Sequence, residues 1–156
     1  MNIVKDGCRT LQFEGALLAE STSERSDSVR WIEFKLYRTE SGSYVLSRVG
    51  VSLIFHSPTC GLTSKYKLKE SVPEQLSNKA IPCPDCDPDE ETLVFPETYR
   101  YWAQVSDKPE AVLDALYQYD QDSGAHYLTT VARKLLERAS KVDKGIDAIY
   151  NYEIIP

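Results

Sequence analysis

The amino-acid sequence predicts an α+β fold: an antiparallel β-sheet of about five strands, an ion-stapled loop, and two C-terminal helices packed on one face of the sheet. Three observations carry this expectation. Residues 11–55 alternate apolar and polar side chains with a period of two. Residues 107–139 repeat apolar side chains at three- and four-residue intervals. Between them, residues 56–90 keep neither period and hold three of the four cysteines.

The strands come first. "LQFEGALLA", 11–19, sets Leu11, Phe13, Leu17 and Ala19 against Gln12, Glu14 and the following Glu20. "VRWIEFKLYR", 29–38, puts Ile32, Phe34 and Leu36 on one face and Trp31, Glu33, Lys35 and Tyr37 on the other. "YVLSRVGVSLIF", 44–55, aligns Val45, Val49, Val51, Leu53 and Phe55. The link "TESGS" contains Gly42, which tolerates a positive φ, so the last two strands should form a tight hairpin within a meander. Gly50, inside a strand, suggests a bulge or a close approach. Apolar groups on both faces of 29–38 imply that the Trp31 and Tyr37 side is also covered, by the C-terminal helices or by a partner. Arg30, Lys35, Arg38 and Arg48 should face solvent.

Further along, 91–96 and 99–105 read as two more short strands, and "PEQL" in 70–80 as one helical turn. "SDKPEAVLDALYQYD" carries helix-start chemistry: Asp107 as cap, Pro109 in the first turn and Glu110 three residues after the cap. Its apolar stripe is Val112, Leu113, Leu116 and Tyr117. "DSGAH" turns into a second helix, with Leu128, Val131, Ala132, Leu135, Leu136 and Ala139 on one face and His126 at its start. Gly145 should end or kink it, leaving 146–156 as a turn or a tail strand. The 156 residues suit a single domain, with a meander over 1–55, a loop insert over 56–90, and strands and helices over 91–156.

The aperiodic loop needs an organiser, because long structureless stretches are uncommon in compact domains. His56, Cys60, Cys83 and Cys86 supply one. They read H-x3-C, then 22 residues, then C-x2-C. Zinc takes four tetrahedral nitrogen and sulfur ligands, and short spacings let one tight turn provide two of them. A structural Zn2+ bound by His56, Cys60, Cys83 and Cys86 is therefore expected. Cys8 is the competing fourth ligand. A three-strand meander separates Cys8 from His56 along the sheet, but an N-terminal strand paired elsewhere permits an all-thiolate site. Over 56–86 the spacing resembles that of zinc-ribbon and treble-clef modules in general.

Other chemistry fits less well. A redox C-x-x-C opens a helix whose N-terminus lowers the thiol pKa. Here "CPDC" runs into "DPDEE", whose acids would push a thiol pKa up. A zinc deaminase needs His-x-Glu ahead of P-C-x-x-C, and His56 is followed by Ser57 and Pro58. No G-x-S-x-G, G-x-G-x-x-G or P-loop occurs. Catalysis by a histidine outside the zinc set falls to His126, and divalent-cation chemistry to the acids Asp85, Asp87, Asp89, Glu90 and Glu91. A surface histidine and a solvated acidic loop account for the same residues.

The net charge of −6 argues against a broadly basic nucleic-acid binder. A local patch of Lys65, Tyr66, Lys67 and Lys69, with Arg100 and Tyr101, is the alternative binding surface, and a solvated loop explains the lysines equally well. The opening "MNIVKDGCRT" lacks an apolar signal core, and no run approaches the ~20 apolar residues of a membrane helix, so a cytoplasmic protein is expected. The expectation is a non-catalytic, zinc-stabilised binding or adaptor protein acting through a protein partner. A nucleic-acid-associated subunit or a small metal-dependent hydrolase or nuclease is the competing reading.

Overall fold

The computed structural model describes residues 1–57, 60, 79–86, 98–153 and 155, and the backbone at 68–69 and 95–96. The strands are β1 (Asn2–Ile3), β2 (Leu11–Gln12), β3 (Gly15–Thr22), β4 (Arg30–Thr39), β5 (Tyr44–Ser52), β6 (Ile54–Phe55), β7 (Leu68–Lys69), β8 (Ile81–Pro82), β9 (Phe95–Pro96), β10 (Tyr99–Ser106), β11 (Gln118–Tyr119) and β12 (His126–Tyr127). The helices are α1 (Pro109–Leu116), α2 (Thr130–Ser140) and α3 (Lys144–Tyr150). The principal sheet has four strands in the order β10-β5-β4-β3. The fold is α+β, as the two hydrophobic periods predict. The expected turn around "PEQL" and residues 91–94 lie outside the described residues.

The chain divides into two compact units, one of 1–23, 33–48 and 101–156, the other of 24–32 and 49–100. In the first, Tyr37, Val45 and Ala103 point to one face of the sheet and pack with Ile3, Leu11 and Phe13. Phe13 meets Tyr37 edge-on with ring centroids 5.4 Å apart. The cover over Tyr37 is thus the chain's own N-terminal ladder, in which β1 and β2 pair antiparallel, rather than the C-terminal helices.

The helices cover the other face. α2 lies against β3 and α3 against α2 and α1. Val131, Ala132, Leu135, Leu136 and Ala139 are all buried, as the helical spacing predicts. Ser21 Oγ donates to the carbonyl of Val131 at 2.8 Å, fastening β3 to the start of α2. Thr129 caps α2 by accepting from the Ala132 amide.

Several local expectations are corrected. A β-bulge between Leu17 and Ala19 shifts the β3 register, so Ala19 is buried while Leu17 is 44% exposed. Asp107 does not cap α1: Lys108 holds the cap position without a side-chain bond, and Asp107 accepts from Ser43 Oγ. Tyr117 leaves the α1 stripe and is exposed. His126 sits in β12 rather than at a helix start. Residues 144–150 form a third helix that contains Gly145.

That third helix rests on a buried cluster. Asp143 caps α3, its Oδ1 accepting from the Ile146 amide at 2.9 Å and from the Tyr44 hydroxyl at 2.8 Å. Its Oδ2 accepts from Arg38 Nη1 at 2.7 Å. Arg38 is therefore not simply a solvent-facing strand charge; its guanidinium also lies over the Tyr44 ring, 4.9 Å from the centroid. A Cβ at Gly145 would collide with the Tyr44 hydroxyl, so glycine is required by a close approach.

The second unit has a small core of its own. Trp31, Val51 and Leu53 pack with Val29, Val49 and Tyr99. Val29 also touches the neighbouring cluster of Ile54, Cys60, Cys83 and Cys86, so the cysteines continue the apolar core. Gly42 closes the β4–β5 hairpin with φ +94°, as its sequence position predicts. No described helix is long and apolar enough to cross a membrane.

Candidate metal centre

The centre is built by a two-residue ladder. β6 and β8 pair in parallel, Ile54 opposite Ile81 and Phe55 opposite Pro82. The Ile81 amide donates to the Leu53 carbonyl at 3.1 Å, and the Cys83 amide to the Phe55 carbonyl at 2.8 Å. Parallel pairing makes both strands leave the ladder at the same end. His56 follows one strand and Cys83 the other, so the two halves of the centre start side by side.

Each half then turns tightly. The Cys60 amide donates to the Ser57 carbonyl at 3.1 Å, which brings Cys60 back toward His56. Residues 84–86 form a turn, and Pro84 restricts its φ. The Ser57 amide reaches across to Cys86 Sγ at 3.3 Å. One ligand atom from each of His56, Cys60, Cys83 and Cys86 lies within 4.8 Å of all the others. His56, Cys60 and Cys83 are buried, and Cys86 is half-buried.

Tetrahedral zinc with Zn–S bonds of ~2.3 Å separates sulfurs by roughly 3.8 Å, so a cluster of this size fits one ion. The donor chemistry fits as well. Nδ1 of His56 is buried and has no hydrogen-bond partner among the described residues. Such an atom is costly unless something satisfies it. Burial, aided by the Arg30 guanidinium, pushes the His56 pKa down, which keeps the imidazole neutral. Partial burial works to raise the Cys86 thiol, but hydrogen bonds from the Ser57 amide, Cys60, the Ser57 hydroxyl and Cys83 outweigh it and hold the thiol below its usual range. The expectation that nearby acids would push the thiols up is thereby corrected at Cys86. A neutral imidazole and a readily ionised thiol, as at His56 and Cys86, suit a divalent metal. This buried group could hold a metal ion.

The remaining sequence-derived residues fall elsewhere. All four cysteines are free; Cys8 is exposed, in a turn where its amide donates to the Lys5 carbonyl. It is not part of the His56 cluster. Lys65, Tyr66 and Lys67 lie outside the described residues, as do Asp87, Asp89, Glu90 and Glu91, and Lys69 is in β7. The Arg100 side chain lies against Gly50, 3.5 Å from where a Cβ would stand, which is ordinary contact. The Tyr101 backbone is tied to Asp6, its amide donating to the carboxylate at 2.9 Å and its carbonyl accepting from the Asp6 amide at 3.1 Å. His126 stands against Tyr119 and Tyr117, with centroids 5.2 and 6.4 Å away.

Spacing alone did not reveal the Ser57 amide or the β6–β8 ladder. A trace of the ladder is visible: both ligand pairs follow an isoleucine by two residues, as Ile54-Phe55-His56 and Ile81-Pro82-Cys83. Searches of protein-family models, curated proteins and solved structures give no match to this chain.

Proposed function

We propose that the chain is a non-catalytic binding or adaptor protein, stabilised by a structural Zn2+ on His56, Cys60, Cys83 and Cys86, that acts through a protein partner. The single observation that carries this reading is the closed donor set: four protein ligand atoms within 4.8 Å of one another, three of their residues buried. A catalytic zinc keeps a position for water and usually takes three protein ligands. Here the protein fills all four positions, so the ion supplies folding energy instead of Lewis acidity.

Three thiolates and a neutral imidazole leave a zinc centre with net charge of about −1. The Arg30 guanidinium, close enough to act on His56, offsets that charge. The acidic balance of the chain favours a protein partner over bulk nucleic acid.

Cobalt substitution tests the closed site. Four-coordinate Co2+ with thiolate ligands should give intense d–d bands and sulfur-to-metal charge transfer, unaltered by added cyanide or azide. A weak five- or six-coordinate spectrum, or a band that shifts on anion addition, would mean an open position and would defeat the non-catalytic reading. Crosslinking in native-host extracts tests the adaptor role: a specific protein should be captured by the wild-type chain and lost with Cys83→Ser.

A further inference from the structure

We propose that Cys86 is an oxidation-sensitive latch on the candidate metal centre: a peroxide attacks its sulfur first, Cys83 closes a disulfide with it, and the ion is released. The inference rests on the zinc reading and adds regulation to it.

Burial separates Cys86 from the other three donors. His56 and Cys83 are each 3% exposed and Cys60 9%, whereas Cys86 is half-buried. A small oxidant selects among thiolates by access, so the outermost sulfur reacts first. The Ser57 amide donates to this sulfur at 3.3 Å. That bond tempers its nucleophilicity, but Cys86 is half-buried with the bond in place, so the approach from solvent stays open. Cys8 is more exposed, yet it is not part of the cluster and holds no ion.

A resolving thiol stands beside the attacked one. The sulfurs of Cys60, Cys83 and Cys86 lie within 4.8 Å of one another. Cys83 directly precedes the turn over 84–86 that ends in Cys86. Such a turn holds its end Cα atoms within roughly 7 Å, a span that a disulfide bridges. Cys60 belongs to the other half of the centre, so pairing with it moves two segments, whereas pairing with Cys83 tightens one turn.

The electrons balance in two steps. The Cys86 thiolate attacks a peroxide oxygen; the S–O bond forms, the O–O bond breaks, and hydroxide leaves to be protonated to water. Sulfur is oxidised to a sulfenic acid and the peroxide is reduced. The Cys83 thiolate then attacks the Cys86 sulfur; the S–S bond forms, the S–O bond breaks, and a second hydroxide leaves. The bridge removes two of the four donors. His56 and Cys60 alone are too few for a structural zinc, which takes four. The ends of β6 and β8 then lose the ion that clamps them, and a binding surface organised by that ion loosens with it.

The test treats zinc-replete protein, its metal content verified, with hydrogen peroxide. Zinc release is followed with a chromogenic chelator, sulfenic acid is trapped with dimedone, and both are mapped by mass spectrometry. Dimedone should mark Cys86 first, zinc should leave in step with a Cys83–Cys86 disulfide, and dithiothreitol with added zinc should restore the metal. Cys8→Ser should release zinc at the wild-type rate. Cys86→His keeps four donors without the reactive sulfur and should release zinc about tenfold more slowly. Since that variant can fail to load metal, the wild-type mapping decides by itself. First modification at Cys60 or Cys83, zinc loss with Cys86 unmodified, or zinc retained under excess peroxide overturns the proposal. Wild-type protein that binds no zinc overturns both readings, and it is recognised before peroxide is added.

Discussion

The amide of Cys83 donates to the carbonyl of Phe55 at 2.8 Å, and through this bond the two halves of the candidate metal centre share one ladder. Register between β6 and β8 and placement of the ligands are the same fact. Whatever holds the four ligands together also holds the ladder, and the reverse is equally true.

Cys83→Ser and Cys86→Ser should therefore lose zinc and ladder together. Binding energy at a structural zinc is largely folding energy, so a destabilisation of several kcal/mol, on the order of that for breaking a buried charged network, is expected. Hydrogen exchange is the direct measurement: the Ile81 and Cys83 amides should lose protection. Full zinc content with unchanged exchange at both amides in either variant would count against the assignment.

The fourth ligand can be assigned by contrast. Cys8 is exposed, so Cys8→Ser should leave zinc stoichiometry intact and change stability by less than ~0.5 kcal/mol. His56→Ala should weaken zinc binding sharply. Competition against a chromogenic chelator measures both. If Cys8→Ser loses the metal and His56→Ala keeps it, the all-thiolate site is the correct one.

Asp143 and Tyr44 predict opposite pH limbs of stability. Burial works to raise the Asp143 carboxyl, but the Ile146 amide, the Tyr44 hydroxyl and Arg38 outweigh it and hold it below the ordinary carboxylate range. Its folded pKa is depressed, so its contribution is full above the unfolded value of ~3.9 and is lost as pH falls through the lower folded value. Burial, then the bond to Asp143, pushes Tyr44 up to about 12. A raised pKa works the other way: its contribution is full below ~10 and disappears as pH rises toward the folded value. Urea melts across pH should lose the acid slope in Asp143→Asn and the alkaline slope in Tyr44→Phe. Slopes identical to wild type in both variants would dissociate this cluster from the pH response.

Gly145→Ala should destabilise by ~1–3 kcal/mol, the usual cost of overpacking, because the new methyl meets the Tyr44 hydroxyl. Removing that hydroxyl relieves the collision. The Gly145→Ala, Tyr44→Phe double variant should then be more stable than the sum of the single changes predicts, by an interaction energy of ~0.5 kcal/mol or more. Additivity in chemical-denaturation midpoints would show that the two positions do not meet.

Where local periodicity speaks, it speaks well. The α2 stripe from Val131 to Ala139 is buried residue for residue, and the Gly42 hairpin forms where "TESGS" places it. It fails where a single event resets the count. The bulge between Leu17 and Ala19 splits one apparent face into two, and no residue in "GALLA" announces it. Asp107 looks like a cap, yet Ser43, 64 positions away in the chain, claims its carboxylate. Asp143 carries no apolar signal, so the third helix and its Tyr44 and Arg38 partners are invisible to a window of neighbouring residues.

That His56, Cys60, Cys83 and Cys86 come together in one cluster was legible from residue type and spacing, because metal chemistry limits which donors serve and short turns limit how far apart they sit. The parallel β6–β8 ladder that delivers them, and the N-terminal cover over Tyr37, were not. Which strand lies beside which, and which segment shelters a given face, are set by packing between residues remote along the chain. That choice leaves almost no mark on the local alternation of side chains, so it becomes visible when the folded chain brings Phe55 to Cys83 and Phe13 to Tyr37.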